Sequence, residues 1–334
     1  MTLTIVLPCH DEASVLPELF ARLDAVIARL DVETEVVCVD DGSTDGTWDL
    51  VKAKTESARH YRGLRLSRNF GHQVALTAGL WAAAGDVVIT MDSDLQHPPE
   101  MIPELLAKGR EGNDVVTAVR ESEDVEGWFK VTSARFFYWV LNRLTALDLP
   151  HGGADFRYMT RPVVDSMLRM PERHRFLRGL TRWIGFKQAT IEYSRAPRHG
   201  GRSKYTLRNM MRFAFDAIVA FSAVPLKVAS VLGLVVSALG GLYGLYVVGV
   251  WLFSDTAVPG WTSVVIAVIV LGGVQLACLG IIGQYLGRMY EEIKGRPLFI
   301  VWEDTRPRGP DGDKASKEQP DVHESLALLS QGRR

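Results

Sequence analysis

This chain predicts an α/β domain carrying two membrane-spanning helices, and three observations support that expectation. Over the first two hundred residues, short apolar runs alternate with stretches of helical spacing. Several of those runs stop abruptly in acidic or glycine-containing turns. Further along, residues 228–253 and 256–287 contain no charged side chain at all.

The elements follow in order. Residues 3–7 are an apolar run ending at Pro8, and residues 12–30 have helical spacing through Leu16, Leu19, Phe20, Leu23, Val26 and Ile27. Residues 35–39 form a second apolar run, which ends in Asp40-Asp41-Gly42-Ser43-Thr44-Asp45-Gly46, with a helix expected after that loop. Residues 64–67 make a short strand candidate, 73–84 a helix, and 87–91 and 115–119 two buried strands. This alternation predicts parallel strands covered on both faces. Ligands of such sheets bind beyond the carboxyl ends of the strands. The loops starting at Pro8, Asp40, Arg68 and Asp92 would all open onto that edge.

Composition sets the outer bounds. A chain of 334 residues with 47% hydrophobic content can build one sizeable domain and something more. A formal charge of −1 gives no global argument for nucleic-acid binding. Cys9, Cys38 and Cys278 are widely spread without metal-ligand spacing, so no disulfide framework is expected. Cys9 and Cys38 read as core thiols in a reducing compartment. Residues 1–7 are too short for the apolar region of a signal peptide, and His10-Asp11-Glu12 follows at once.

Each uncharged stretch exceeds the roughly 20 residues needed to cross a bilayer. Both are rich in glycine, as packed membrane helices are. Two helices buried in a soluble core are the alternative. Lys227 precedes the first stretch, and Arg288, Lys294 and Arg296 follow the second, whereas the connection holds only Asp255. The positive-inside rule then puts both termini and the N-terminal domain in the cytosol, on an inner or plasma membrane, with Trp251 and Trp261 at the opposite interface. Residues 207–222 are amphipathic and suit a helix lying in the interface. The expected organisation is a cytosolic domain over 1–205, an interfacial helix over 206–223, a membrane hairpin over 224–290, a juxtamembrane segment over 291–302 and a disordered tail over 303–334.

The segment with most chemistry is Met91-Asp92-Ser93-Asp94-Leu95-Gln96-His97-Pro98-Pro99, where an apolar run delivers two carboxylates to a turn. Mg²⁺ or Mn²⁺ takes oxygen ligands, commonly one or two carboxylates with the remainder supplied by substrate phosphates and water. An ordinary capped turn has the same residue types. In the loop from Asp40 to Thr47, the carboxylates could accept hydrogen bonds from a ribose or a base imide, while Ser43 or Thr44 could cap the next helix. His72 and His97 read as hydrogen-bonding loop residues, because a hard cation prefers oxygen. The basic run Arg195, Arg198, His199, Arg202, Lys204, Arg208 and Arg212 suits either an anionic substrate or lipid headgroups.

Taken together, His10-Asp11-Glu12, the Asp40 loop, Arg68-Asn69-Phe70-Gly71-His72 and the Asp92 turn resemble the catalytic domain of glycosyltransferase family 2, with its Rossmann-like GT-A fold. Downstream, Asp155-Phe156-Arg157, residues 172–179, residues 198–205 and the apolar hairpin extend the resemblance to the polyprenyl-phosphate glycosyltransferases, over roughly nine tenths of the chain. The resemblance implies a metal-dependent inverting transfer of one sugar from a UDP- or GDP-linked donor to polyprenyl phosphate. Pro8, Glu12, Asp40 and Asp92 would contact the nucleotide sugar, and Asp92, Asp94 and Gln96 would hold Mg²⁺ or Mn²⁺. Asp94, Asp155 and Arg202 are the implied catalytic residues; Arg120, Lys130, Arg135, Arg202 and Lys204 would grip the lipid phosphate. Relatives often have another basic residue after Lys130, where this chain has Val131, so that clamp rests on Lys130 and Arg135. Asp155 is commonly proposed as a base, but a phosphate monoester with a second pKa near about 6 is already largely anionic at neutral pH. Membrane lipids and further copies of the chain, as a homotetramer, are the other implied partners. A processive polysaccharide synthase would carry a Gln-x-x-Arg-Trp motif, which is absent from the chain. A nucleotide-sugar-binding scaffold is the non-enzymatic alternative.

Overall fold

The computed structural model describes residues 1–120, 153–193, 222–253 and 260–306. Lys130, Arg135, Arg202, Lys204, the amphipathic residues 207–221 and the tail from 307 lie outside the described residues, and Arg120 is described in its backbone only. The chain divides into two units, residues 1–206 with 295–334, and residues 207–294.

The first unit is built on an eight-stranded sheet in the order β7-β5-β6-β4-β1-β2-β3-β8. Its strands are β1 Thr2–Cys9, β2 Glu33–Asp40, β3 Tyr61–Leu66, β4 Val87–Thr90, β5 Val115–Arg120, β6 Gly153–Thr160, β7 Gln188–Tyr193 and β8 Val301–Asp304. β1, β2, β3 and β4 are mutually parallel and linked by helices α1 Leu16–Ile27, α2 Thr47–Ser57 and α3 His72–Ala82. Such crossovers are what parallel neighbours require. Helix α1 opens with Pro17 in its first turn, where a missing N–H costs nothing, and buries Leu16, Leu19, Phe20, Leu23 and Val26. Val36 and Cys38 face one core cluster and Val37 and Val39 another, so β2 is buried on both sides. On α3, Gly79 permits close packing on the sheet: a Cβ there would lie 2.1 Å from Val6 Cγ1. Cys9 and Cys38 are buried free thiols.

Two expectations need correction. The sheet is mixed rather than all parallel, because β6 lies antiparallel between β4 and β5, and β8 lies antiparallel on β3. β6 does not read as an apolar strand, since Asp155 and Arg157 alternate with Phe156 and Tyr158; both charged side chains are buried and satisfied by partners on other elements. The boundary between juxtamembrane segment and tail is also displaced. Phe299 packs edge-on against Trp81 within the core, and residues 301–304 form the edge strand. That short strand is held by polar partners, not by an apolar run. Arg62 grips Asp304 at 3.0 and 2.6 Å, Trp48 donates to Glu303 at 3.1 Å, and the Gly63 N–H donates to Thr305 Oγ1 at 2.8 Å.

The second unit holds helices Val224–Phe253 and Trp261–Ile293. Tyr285 donates its hydroxyl hydrogen to the Ser222 carbonyl at 2.7 Å, and Cys278 Sγ lies 3.5 Å from the Ala229 carbonyl. Residues 224–250 and 266–293 are long and apolar enough to cross a membrane by length and composition, and none of the most apolar window in either is buried. In this they differ from the core helices of a soluble protein, which are mostly buried.

Candidate active site

The site is assembled where β1, β2, β3 and β4 end. Cys9 pairs with Asp40 in register, Asp40 with Arg65, and Val6 with Thr90, so four loops leave the sheet side by side. Cross-loop bonds tie them together. Asp11 sits at φ 56° and accepts from the Thr44 N–H at 2.8 Å, while its own N–H donates to Ser43 Oγ at 3.0 Å. The Glu12 N–H donates to Thr47 Oγ1 at 2.8 Å. Asp41 accepts from the Phe70 and Gly71 N–H groups at 2.7 and 2.9 Å, which fixes the Arg68 loop against the Asp40 loop. The approach is close enough that a Cβ on Gly42, at φ +65°, would meet the Arg68 carbonyl carbon at 2.4 Å.

The acidic turn docks on the same edge. Ser93 donates to the Pro8 carbonyl at 2.8 Å, and the Asp92 N–H donates to His97 Nδ1 at 3.0 Å. His97 is buried and stacks on Phe156 at 5.3 Å between ring centres. Leu95, between Asp94 and Gln96, adopts φ 60°, a conformation costly for an apolar residue, and is held there by burial in the main core cluster. Gln96 donates from its backbone and side-chain nitrogens to the two Asp94 oxygens at 3.1 and 2.5 Å.

The carboxylates here crowd one another. Burial raises Glu12 above its ordinary range, and the charges of Asp94, Asp45 and Asp92 push it further. Burial likewise raises Asp92, opposed by His97 and His72 and reinforced by Asp155 and Asp94. Asp92 Oδ1 is buried without a hydrogen bond, His72 Nε2 lying 3.3 Å away. A buried, under-satisfied carboxylate oxygen beside further acids, all hard oxygen donors, fits Mg²⁺ or Mn²⁺. Among the described residues no three His, Cys, Asp or Glu side chains are grouped as a metal cage, so a cation at this turn would draw other oxygens from its substrate.

Asp155, on β6, has the opposite environment. Arg178 grips it with two bonds of 3.0 Å, Gln73 donates to it at 3.2 Å, His72 Nε2 lies at 3.6 Å and Arg157 at 3.8 Å. Burial alone would raise this carboxyl; the Arg178 charge and the bonds from His72 and Arg178 outweigh it and hold Asp155 well below the usual carboxylate range. His72 spans Asp92 and Asp155, and Gln73 reaches across to the Leu177 N–H at 3.0 Å. Nothing local in the sequence marks Gln73 or Arg178 for this role, because their shared partner Asp155 lies 82 and 23 positions away.

Pro8, Glu12, Asp40, Asp92, Asp94, Gln96 and Asp155 are thus placed on described elements around the carboxyl ends of β1, β2 and β4. Lys130, Arg135, Arg202 and Lys204 lie outside the described residues.

Residues 4–168 match Glycosyl transferase family 2. An uncharacterized glycosyltransferase of Synechocystis sp. is 44% identical over 299 residues, covering 90% of this chain and 94% of the relative. The SfII prophage-derived bactoprenol glucosyl transferase of Shigella flexneri is 36% identical over 301 residues, covering 90% of this chain and 97% of the relative. A prophage bactoprenol glucosyl transferase homolog of Escherichia coli is 35% identical, covering 90% and 98%. With a GT-A-type mixed sheet, an acidic turn at its parallel edge and relatives matched almost end to end, this chain belongs to glycosyl transferase family 2.

Proposed function

We propose that the protein transfers one sugar, glucose in the first instance, from a UDP- or GDP-linked donor to polyprenyl phosphate at the cytosolic leaflet, with inversion at the anomeric carbon. The observation that carries this reading is the Asp92–Asp94 turn, with its unbonded buried oxygen, on the loop edge of a family 2 domain. Relatives named bactoprenol glucosyl transferase, aligned over nearly their whole length, support the acceptor class and the sugar. Helices 224–250 and 266–293 support a membrane location.

Asp40 and Glu12 would receive the nucleoside, and Pro8 would line its approach. Asp92, Asp94 and Gln96 would hold a divalent cation, which when bound neutralises charge on the departing nucleoside diphosphate. Asp94 orients through the two Gln96 bonds, and Ser93 anchors the turn to β1. Asp155, saturated by Arg178, Gln73 and His72, is a positioning residue rather than a base: it fixes the imidazole that leans on Asp92. A phosphate nucleophile needs alignment more than deprotonation. Arg120, Lys130, Arg135, Arg202 and Lys204 would bind the lipid phosphate, and a homotetramer is the expected assembly.

The test is incubation of the purified, detergent-solubilised protein with labelled UDP- and GDP-sugars, Mg²⁺ or Mn²⁺, and undecaprenyl or dolichyl phosphate. Chromatography of the lipid extract should reveal a single-sugar lipid product. Donor binding with no lipid product from any pair would replace this reading with a binding scaffold. A growing polymer would indicate a synthase.

A further inference from the structure

We propose that Arg65 is a positioning residue for Asp40 and that Trp302, on the strand following the second apolar helix, completes its support. The nucleoside half of the donor site is then built in part by residues beyond the hairpin. This rests on reading Asp40 as the nucleoside contact.

Asp40 closes β2 and is fully buried. Its Oδ1 accepts from the Ser43 N–H at 3.2 Å, but Oδ2 has no hydrogen bond, and the Arg65 Nε lies 3.3 Å from it. Arg65 stands opposite Asp40 in the β2–β3 register, so the pairing is set by the sheet. A base imide donates its hydrogen and is held more strongly by an ionised acceptor than by a neutral one. Burial works against that ionised form in Asp40, and the Arg65 charge works for it.

Arg65 is itself held between two indoles. Its guanidinium carbon lies 5.7 Å from the Trp48 ring centre and 5.6 Å from that of Trp302. The second contact depends on an irregularity in β8. Arg65 pairs with Glu303 and Leu66 with Val301, leaving Trp302 as an extra residue. Regular alternation would send Trp302 and Glu303 to opposite faces. At a bulge the extra residue is re-aimed, and such devices concentrate near functional sites. Here Trp302 reaches Arg65 while Glu303 accepts from Trp48 Nε1 at 3.1 Å and pairs with Lys52 at 3.0 Å. Two neighbouring residues of one edge strand therefore serve a single arginine, Trp302 as one of its indoles and Glu303 as the anchor of the other, Trp48. Trp302 is 71% exposed, far more than core packing alone would leave it, whereas Trp48 is 4% exposed.

The experiment measures steady-state kinetics of the full-length protein in detergent with UDP-glucose and undecaprenyl phosphate, for Arg65→Met, Arg65→Lys, Trp302→Ser, Trp302→Phe and Asp40→Asn. Arg65→Met should raise the donor KM about tenfold and Trp302→Ser about threefold to fivefold, with Lys, which keeps the charge but not the stacked plane, recovering part of the first loss and Phe much of the second. Lipid KM, and kcat at saturating donor, should stay within about twofold, because no part of the acceptor side is touched. A merely structural role for β8 would move all three parameters or none, and interfacial anchoring by Trp302 would move lipid KM. Either pattern overturns the proposal. If Asp40→Asn raises the donor KM while Arg65→Met leaves it unchanged, this inference fails alone. An unchanged donor KM in Asp40→Asn removes the nucleoside reading beneath it.

Discussion

Asp92 and Asp155 share a histidine yet differ in almost every other respect. Asp155 is surrounded by donors: two arginines, a glutamine and His72 leave its charge compensated and its oxygens occupied. Asp92 is half-buried beside other acids and keeps one buried oxygen without a hydrogen bond. On the proposed reading, one fold uses one residue type twice, as a positioning anion where cations are built in and as a binding anion where a cation is left to arrive.

The largest expected effect breaks the binding side. Asp94→Ala should lower kcat/KM by about 10³-fold, in the range seen when a key electrostatic contact to a transition state is lost. Chelation should abolish turnover of the wild-type protein, and Mg²⁺ or Mn²⁺ should restore it; initial rates of lipid-product formation measure both. Retained turnover in either case would refute the role given to the turn.

Asp155→Asn strikes the structural side. Removing one partner of a buried ion pair costs about 3–5 kcal/mol, because the remaining charge is stranded. A marked fall in melting temperature should result, even without donor. The pH dependence follows from the sign of the shift. Asp155 is held below the value near about 3.9 that it has unfolded, so its contribution is present above that pH and is lost as pH falls through the lower folded value. Acid melts of Asp155→Asn should accordingly lose less stability than wild type over that range.

The smallest effect on stability sharpens the contrast most. Asp92→Asn removes a carboxylate whose ionised form burial disfavours, so the metal-free protein should melt at the same temperature or a few degrees higher while activity is lost. A melting temperature lowered as far as in Asp155→Asn would erase the distinction between the two acids.

The placement of the candidate residues was legible because they stand where apolar runs stop. Leu3–Leu7, Val36–Val39 and Val87–Ile89 announce buried strands, and Glu12, Asp40, Asp92 and Asp94 follow at their ends, where parallel strands present ligand loops. What was hidden depends on distant partners. Arg178 and Gln73 acquire meaning only when β6 inserts beside β4, bringing Asp155 to residues 23 and 82 positions away. β8 was hidden for a similar reason. A four-residue strand ending in two acids carries no periodic signal, and the groups that pair it with β3 lie more than two hundred residues earlier.

The most direct test of the central claim is titration of Mn²⁺ into the purified protein with UDP, following free Mn²⁺ by electron paramagnetic resonance. The wild-type chain should withdraw one Mn²⁺ per protomer, and Asp94→Ala should leave the free signal as it is with UDP alone. One equivalent still bound by Asp94→Ala, with unchanged affinity, would contradict the assignment of the cation to this turn.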